Sequence, residues 1–342
     1  MTNVMHIVYS ADRFYASILG ISIVSLFENN SQVQIHILDA GISQTDRGRI
    51  EDVCESYQMP APNWIPANDI SNELKMAVSA DRGSMAQYAR IFISRHLDES
   101  IDRILYLDCD TIITGSLREL WEMDLKGRTV AVLLDAFSKY YRYNVGLQPG
   151  DIMFNSGVIL VDMKRWRGQD VERRVLSFIR SRHGFIEKGD QGALNAVLSH
   201  DCICFESKFN AVTIFFDFSY KEMLRYRRPP GYYSEEQIRN AVENPVIIHY
   251  TVSFLSKRPW MKGCKHPWKA EWLKYKAMSP WKDTPLVEEK RSWRVHAMRK
   301  LPRGLMLWIA GFLQAYGRPW LYRMRMQRIR RRCQRNRQKS KN

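Results

Sequence analysis

Apolar and polar residues alternate along the chain in two distinct patterns. Short continuous apolar runs, typical of buried strands, occupy residues 6–11, 33–38, 103–107, 129–135, 155–163 and 245–250. Helical spacing of apolar residues predicts helices over 14–30, 44–57, 84–96, 171–182 and 190–200. Because strands alternate with helices, the pattern predicts an α/β fold with a mostly parallel sheet covered on both faces.

Acidic side chains follow the predicted strands. Asp12, Asp39 and Asp108 each stand directly after an apolar run, and ligands of such sheets gather at the carboxyl ends of the strands. In LYLDCDT, Asp108 and Asp110 lie two residues apart and therefore point to the same side of an extended chain. Two carboxylates so arranged can bind one divalent cation. The pattern is short and also arises by chance, so capping aspartates in a solvated turn are the alternative.

The same segment allows a second interpretation. LDCDTIITGS resembles the aspartyl nucleophile motif of haloacid-dehalogenase phosphatases, which form a covalent aspartyl-phosphate. That motif carries Thr or Val at its fifth position and lies near the chain start. Here the fifth residue is Ile112 and more than a hundred residues precede it, so the phosphatase interpretation is disfavoured.

Composition fits a globular protein, and the charge is concentrated at one end. The 342 residues are 45% hydrophobic, which excludes a disordered or collagen-like chain, and the net charge is +16. Six cysteines without a CxxC pair argue against a disulfide framework and a zinc ribbon. Residues 1–290 contain equal numbers of basic and acidic residues, whereas residues 291–342 contain 16 basic residues and no acid. We therefore predict a catalytic domain over 1–290 and a basic tail over 291–342.

The tail combines arginines with a short apolar segment. GLMLWIAGFLQAYG has 14 residues, fewer than the roughly 20 of a spanning helix. With Trp308, Trp320 and Tyr322 among the flanking arginines, the pattern favours a helix lying on an anionic membrane. A nucleic-acid-binding run, and a helix docked on the body with a disordered end after about Arg332, are the alternatives. We expect no nucleic-acid partner. Since no signal-peptide pattern opens the chain, we expect a cytoplasmic protein, peripheral on the inner face of the cell membrane.

Seven sequence blocks then identify a resemblance. Their order is that of glycosyltransferase family 8, and the chain is most similar to its bacterial lipooligosaccharide galactosyltransferases and glucosyltransferases, over residues 4–268. The blocks are YSAD (9–12), LDAGIS (38–43), YAR (88–90), LYLDCDT (105–111), FNSGVILVDMKRWR (154–167), DQGALN (190–195) and HYT with the later KRPW (249–260).

The resemblance implies a fold and an activity. The fold is GT-A type, a Rossmann-like, mostly parallel sheet flanked by helices, here followed by a helical basic C-terminal tail. The activity is the retaining transfer of galactose or glucose from a UDP-sugar to a glycolipid or polysaccharide acceptor. The alternative is a non-catalytic binding module that keeps the UDP-sugar fold and is recruited to membrane or nucleic acid by its tail.

The resemblance also implies roles for the residues that bind metal and nucleotide. Asp108, Asp110 and His249 match the residues that hold Mn²⁺, with Mg²⁺ as the alternative ion, and the ion bridges the diphosphate. Ser10 and Asp12 match the uridine-binding edge. The remaining donor-binding positions are Asp39 or Gly41 on the other side of the uridine, Cys109 between the two carboxylates, and Arg90, which matches an arginine that reaches the donor sugar and the first carboxylate.

Around the sugar, Asn155, Asp190 and Gln191 match the residues that surround the hexose. Gln191 corresponds to the residue nearest the reacting carbon. Because a glutamine cannot act as the carboxylate nucleophile of a retaining glycosidase, the resemblance implies front-face attack by the acceptor, with a covalent intermediate on Asp190 as the alternative. Asp135 is expected on the acceptor side by its family position.

Two positions depart from the family pattern. Phe14 stands where members usually have an asparagine near the uridine, and a phenylalanine side chain offers no polar contact there. The closing segment lacks the glycine that usually follows the histidine, and Lys257 comes eight residues after His249. A cation that offsets leaving-group charge is still expected there, and either Lys257 or Arg258 can supply it.

Overall fold

A seven-stranded sheet forms the centre of the molecule. The computed structural model describes residues 4–67, 74, 78, 86–288 and 293–339. The sheet has the strand order β3-β2-β1-β4-β7-β6-β8; it is parallel except at β7, which runs antiparallel to both neighbours. The structure thus confirms the predicted α/β fold. The strands are β1 (Met5–Ala11), β2 (Val33–Asp39), β3 (Asn63–Pro66), β4 (Arg103–Leu107), β6 (Val130–Leu134), β7 (Phe154–Asp162) and β8 (Cys202–Cys204).

A second, three-stranded sheet was not expected. It consists of β5 (Thr111–Ile113), β9 (Ala211–Val212) and β10 (Ile247–His249), with β10 in the middle. The apolar run at 245–250 therefore forms a strand, as predicted, but outside the main sheet. Its antiparallel register sets His249 opposite Thr111. This pairing brings a histidine distant in sequence to the segment that follows β4.

Helices cover both faces of the main sheet, and each face has its own apolar core. Three predicted helices occur near their predicted positions, at 44–57, 171–182 and 190–200, and the helix predicted at 14–30 begins at residue 16. The helices are α1 (Ala16–Asn29), α2 (Gln44–Ser56), α3 (Ile93–His96), α4 (Arg118–Trp121), α5 (Lys139–Val145), α6 (Met163–Gly168), α7 (Val171–Ser181), α8 (Gly189–Leu198), α9 (Thr213–Asp217), α10 (Tyr220–Arg227), α11 (Glu235–Glu243), α12 (Lys269–Met278), α13 (Trp293–Arg299), α14 (Arg303–Phe312) and α15 (Arg318–Lys339).

The helix predicted over 84–96 is a 3₁₀ helix over Ala86–Phe92 followed by the short α3; residues 84 and 85 lie outside the described residues. Two carbonyls of the 3₁₀ segment accept side-chain hydrogen bonds, that of Ala86 from Ser10 Oγ at 2.8 Å and that of Gln87 from Arg90 Nε at 3.1 Å. These bonds use acceptors that an α-helix would keep for its own backbone. Short 3₁₀ segments are common as such connectors.

Helix α1 is buried on almost every side and secures the segment after β4. Inside it, Ser22 Oγ lies 3.3 Å from Thr111 Oγ1, and Ser25 Oγ accepts a 3.0 Å hydrogen bond from the backbone N–H of Ile113. Buried hydroxyls need such partners. The two serines therefore fix β5, and with it the loop that carries the two aspartates.

The Trp-rich segment over 253–285 packs against α1 and contains the helix α12. The indole of Trp281 lies so close to Gly20 that a β-carbon there would stand 2.0 Å from the ring. Trp260 and Trp272 pack with their rings 6.1 Å apart. Aromatic side chains that bury such large areas hold an otherwise irregular segment in place.

The basic tail packs on the body. Arg303 forms a 2.6 Å ion pair with Glu222, and Gln314 Nε2 donates to Tyr141 Oη at 3.1 Å, within a π-helical turn over Leu313–Gly317. Helix α15 then continues to Lys339, past Arg332, after which a disordered end was one alternative; the end of the tail beyond Lys339 lies outside the described residues. Arg, Gln and Met are good helix formers, and neither Gly nor Pro follows Pro319.

The domain division at residue 290 stays a prediction, since residues 289–292 lie outside the described residues. Across the ranges that the structure describes, none of the helices combines the length and the apolar character needed to span a membrane.

Candidate active site

Asp108, Asp110 and His249 converge beside the carboxyl end of β4. One ligand atom from each lies within 4.8 Å of the others. His249 Nε2 is 3.2 Å from Asp110 Oδ1 and 3.7 Å from Asp108 Oδ2. Strand β4 delivers the aspartates and β10 delivers the histidine. The structure thus brings together the three residues that the sequence predicted as metal ligands.

A chain of amides fixes the orientation of the histidine ring. His249 Nδ1 lies 2.9 Å from Asn210 Oδ1, and Asn210 Nδ2 donates to Asn155 Oδ1 at 3.0 Å. Asn155 Oδ1 also accepts from the Gly157 N–H at 3.0 Å, so Asn210 must present its own oxygen to the imidazole. Nδ1 therefore donates to Asn210, and Nε2 is the ring nitrogen that faces the two carboxylates. Asn155, predicted beside the hexose, lies in this network.

Gly157 provides room for the cluster. A β-carbon at this position would stand 2.1 Å from His249 Cε1 and 2.8 Å from Asp108 Oδ2. Its carbonyl also accepts a 2.7 Å hydrogen bond from the Asp108 N–H. Any side chain here would push apart the groups that face one another, so the position requires glycine.

Arg90 is the buried cation of the site. It donates to Asp108 Oδ1 at 2.7 Å and to the Ser156 carbonyl, and its Nε lies 3.2 Å from Asp190 Oδ2. Its guanidinium stacks 4.2 Å from the Tyr106 ring centroid. Burial alone would lower the pKa of Arg90, but the neighbouring Asp108, Tyr106 and Asp190 raise it above the ordinary value. The predicted link between Arg90 and the first carboxylate is present.

Asp190, Gln191 and Asp135 form the far side of the site. Burial raises the pKa of Asp190 to about 6, although Arg90 opposes the shift. Gln191 Nε2 donates to Asp135 Oδ2 at 3.3 Å, and its Oε1 faces the Ser156 N–H at 3.5 Å. The amide of Gln191 is therefore held between β6 and β7.

At the predicted uridine edge, the ends of β1 and β2 lie side by side, with Ala11 opposite Asp39. Cys109 Sγ donates to the Ser10 carbonyl at 3.1 Å, which ties the aspartate loop to β1. Asp12 Oδ1 accepts the N–H of Phe14 at 2.9 Å. The Phe14 ring is 71% exposed, so it faces solvent instead of the core.

Asp39 is fully buried, and both of its carboxylate oxygens are bonded to other groups of the protein. Its Oδ1 accepts the N–H groups of Gly41 and Ile42 at 2.8 and 2.7 Å, and its Oδ2 pairs with Arg47. The carboxylate therefore shapes the loop after β2. A contact of Asp39 with the donor stays a prediction.

Of the two candidate cations after His249, Arg258 reaches Asp110 of the candidate metal cluster. Its Nη2 lies 3.6 Å from Asp110 Oδ2, and its Nη1 donates to Tyr15 Oη at 2.9 Å. Lys257 instead donates to the Lys262 carbonyl at 3.1 Å. The missing glycine of this segment therefore does not prevent a cation from reaching the site.

The residues present fit a divalent metal. Two carboxylates and an imidazole suit Mn²⁺ or Mg²⁺, and Gly157 keeps the space between them open. Arg258 is buried, yet its Nε and Nη2 have no hydrogen-bond partner within the described part of the chain. A buried guanidinium with open donors is costly unless an anion completes it. A metal-bound phosphate would satisfy these donors.

Comparison with known proteins gives the same assignment. The family model described as Glycosyl transferase family 8 matches residues 6–264. The chain belongs to glycosyltransferase family 8. It is 30% identical over 284 residues to General stress protein A of Bacillus subtilis (strain 168), covering 81% of this chain and 95% of the relative. It is 24% identical to the Lipopolysaccharide 1,2-glucosyltransferase of Escherichia coli (strain K12), covering 82% of this chain and 79% of that protein.

The fold of this glycosyltransferase is also that of a solved relative. A crystal structure of the galactosyltransferase LgtC in complex with donor and acceptor sugar analogues superposes with a TM-score of 0.68. The match is 22% identical in sequence and covers 81% of this chain and 96% of that one. The GT-A fold predicted from the sequence is therefore confirmed.

Two residues that support the candidate metal cluster were not predicted from the sequence. Asn210 orients His249, yet it stands in an ordinary apolar context (KFNAV) with no recognisable spacing to its partner. Gly157 lies within the FNSG block, where a glycine inside an apolar strand signals close approach of another group. That signal could have been used.

Proposed function

We propose that this glycosyltransferase moves galactose or glucose from a UDP-sugar to a glycolipid or polysaccharide, with retention of configuration and with Mn²⁺ as cofactor. The observation that carries the proposal is the cluster of Asp108, Asp110 and His249, with the buried Arg258 on one side and Gln191 on the other. The names of the relatives, a lipopolysaccharide glucosyltransferase among them, support a lipopolysaccharide-type acceptor.

Each residue of the site has its own role in the proposed reaction. Asp108, Asp110 and His249 would hold the cation, which neutralises charge on the departing diphosphate. Arg258 adds a positive charge beside Asp110, where leaving-group charge develops. Arg90 contacts both Asp108 and Asp190 and so holds the two carboxylates in one geometry. Cys109 and Ser10 join the aspartate loop to the uridine edge.

In the proposed reaction, the bond between the anomeric carbon and the β-phosphate oxygen breaks. The acceptor hydroxyl oxygen bonds to the same face of that carbon, and its proton passes to the departing phosphate oxygen. Gln191 stabilises the cationic sugar through its amide oxygen, while Asp135 receives the amide N–H. A covalent intermediate on Asp190 is the alternative; its pairing with Arg90 and its burial favour the front-face route.

The tail supports membrane association. The exposed apolar side chains of α14 and α15 include Trp308, Phe312 and Trp320, each at least half exposed, and α15 is rich in arginine. An exposed aromatic face beside basic residues suits anionic lipid more than nucleic acid. We therefore propose a peripheral enzyme on the inner face of the cell membrane, where a glycolipid acceptor would be found.

A hydrolysis screen of UDP-hexoses, run with and without Mn²⁺, tests the function and names the donor. We expect UDP release from UDP-galactose or UDP-glucose that needs the metal and that falls at least a hundredfold in Asp110→Asn. UDP binding without metal dependence and without turnover would favour the non-catalytic binding module. Absence of both binding and turnover would contradict the proposed donor.

A further inference from the structure

Two cations share one aromatic ring close to the candidate active site. Lys188 Nζ lies 4.7 Å from the centroid of Phe137 and 5.4 Å from that of Tyr141. Arg227 Cζ lies 4.8 Å from the centroid of the same Phe137. Aromatic faces attract cations, but two cations gathered on one ring repel each other.

The polar atoms of this cluster are poorly satisfied. Arg227 Nε and Tyr232 Oη are both buried without a hydrogen-bond partner among the residues that the structure describes. Among the residues that the structure describes, neither the Lys188 side chain nor the Arg227 side chain donates a hydrogen bond or forms a close ion pair. Buried donors without partners carry a free-energy penalty, so the arrangement calls for a group that the protein does not provide.

The charge around Lys188 is unfavourable for its ammonium. Burial, with repulsion from Arg227, lowers the pKa of Lys188 to about 8, and Arg318 adds to the effect. Glu187 and Asp135 oppose the shift without cancelling it. Asp135 already accepts from Gln191, and Glu187 accepts from Asn144 at 2.9 Å. Excess positive charge therefore remains at this place.

The cluster adjoins the reacting groups. Lys188 precedes α8 directly and stands three residues before Gln191. Asp135, which holds the Gln191 amide, raises the pKa of both Lys188 and Tyr232 by its charge. The cationic cluster, defined here as Lys188, Arg227 and Tyr232, therefore lies near Asp135, the residue whose family position implies an acceptor-side role.

We propose that the cationic cluster is an anion subsite that binds a phosphate or carboxylate group on the acceptor saccharide. Arginine and lysine donors form strong charge-assisted hydrogen bonds with such groups, and a phenol hydroxyl adds a third donor. The inference rests on the proposed function and extends it: the natural acceptor is an acidic sugar.

The test is a calorimetric titration of the full-length protein saturated with UDP and Mn²⁺. Glucose 6-phosphate, glucuronate and neutral glucose are compared. We expect at least one of the acidic sugars to bind at least tenfold more tightly than glucose, and the tighter of the two identifies phosphate or carboxylate. Arg227→Gln should reduce this preference to threefold or less. Arg225→Gln, an exposed change on the same helix α10, should preserve it.

The outcomes separate the two proposals. UDP is titrated first: no UDP binding contradicts the proposed function, whereas UDP binding with equal affinity for all three sugars overturns the anion subsite alone. An unchanged preference in Arg227→Gln also overturns it. If Arg227→Gln no longer binds UDP and is therefore misfolded, Lys188→Gln takes its place with the same expectation.

Discussion

Gly157 and His249 approach so closely that a β-carbon on the glycine would stand 2.1 Å from the imidazole Cε1. Real β-carbons do not come that near another heavy atom, so one of the two must move if a side chain is added. On the other side of this contact the same β-carbon would meet Asp108 Oδ2 at 2.8 Å. The metal-binding geometry thus depends on the absence of a side chain at one position of β7.

We expect Gly157→Ala to abolish metal binding while the protein stays folded. Displacing His249 or Asp108 by about 1 Å is enough to reduce activity about a hundredfold. Mn²⁺ binding, followed by electron paramagnetic resonance, and UDP-sugar turnover are the measurements. Gly168→Ala is the control, because a β-carbon there meets nothing within 4 Å. Normal Mn²⁺ affinity in Gly157→Ala would contradict the assigned site.

Asn210 gives a second test, because His249 is the member of the candidate metal cluster to which it is hydrogen-bonded. We expect Asn210→Leu to weaken Mn²⁺ binding about 10- to 100-fold, since loss of the oxygen that receives Nδ1–H frees the ring to rotate or change tautomer. The control is Asn240→Leu on the exposed face of α11. Equal Mn²⁺ affinity in both variants would argue that His249 is oriented by something else.

The two aspartates of the candidate metal cluster could be predicted because the sequence carries their signal directly. Asp108 follows four apolar residues of β4, where an unpaired carboxylate is costly, and Asp110 points to the same side of an extended chain. The small sheet could not be predicted, because β5 and β9 have three and two residues, too few to show a period of two. Asn210 was missed for the same reason: its role depends on pairing between segments distant in sequence.

The apolar face of α14 that is buried could not be predicted from the sequence. Its apolar run was recognised, but α14 is apolar on two faces. Met306 and Leu307 are buried against the body, whereas Trp308 and Phe312 are about half exposed. Sequence alone cannot decide which apolar face meets protein, because burial depends on the partner surface. A β-carbon at Gly311 would stand 3.0 Å from the Arg225 carbonyl oxygen, and this close approach of α14 to α10 determines which face of α14 meets the body.

Arg258 and Lys257 were equivalent candidates, and their surroundings now separate them. We expect Arg258→Gln to weaken UDP binding in the presence of Mn²⁺ about tenfold, because its open donors lie beside Asp110. Lys257→Gln should change the affinity less than threefold, since that ammonium is engaged with the Lys262 carbonyl. Calorimetry with UDP measures both. The reverse order would show that the segment rearranges when the nucleotide binds.

The ammonium of Lys188 should make acidic-sugar binding depend on pH. Its pKa is lowered to about 8, so the charged form dominates below that value and is lost as the pH rises through it. We expect the affinity for the acidic sugar to fall between pH 7 and 9, while the affinity for glucose stays constant. Lys188→Arg, which remains charged over this range, should remove the dependence. A fall that persists in Lys188→Arg would point to another titrating group.

The exposed aromatic face of the tail can be tested without deleting the tail. Deletion would also remove Leu307 and Gln314, which are buried against the body. A loss of lipid binding could then not be distinguished from a loss of packing between the tail and the body.

We expect the double variant Trp308→Ser, Phe312→Ser to sediment at least tenfold less with vesicles of phosphatidylglycerol and phosphatidylcholine, because its apolar contact is lost. Met278→Ser, an exposed apolar change elsewhere, should sediment like the wild type. Added salt should weaken wild-type binding, because salt screens the attraction between the arginines and the anionic lipid. Undiminished sedimentation of the double variant would assign membrane contact, if any, to another surface.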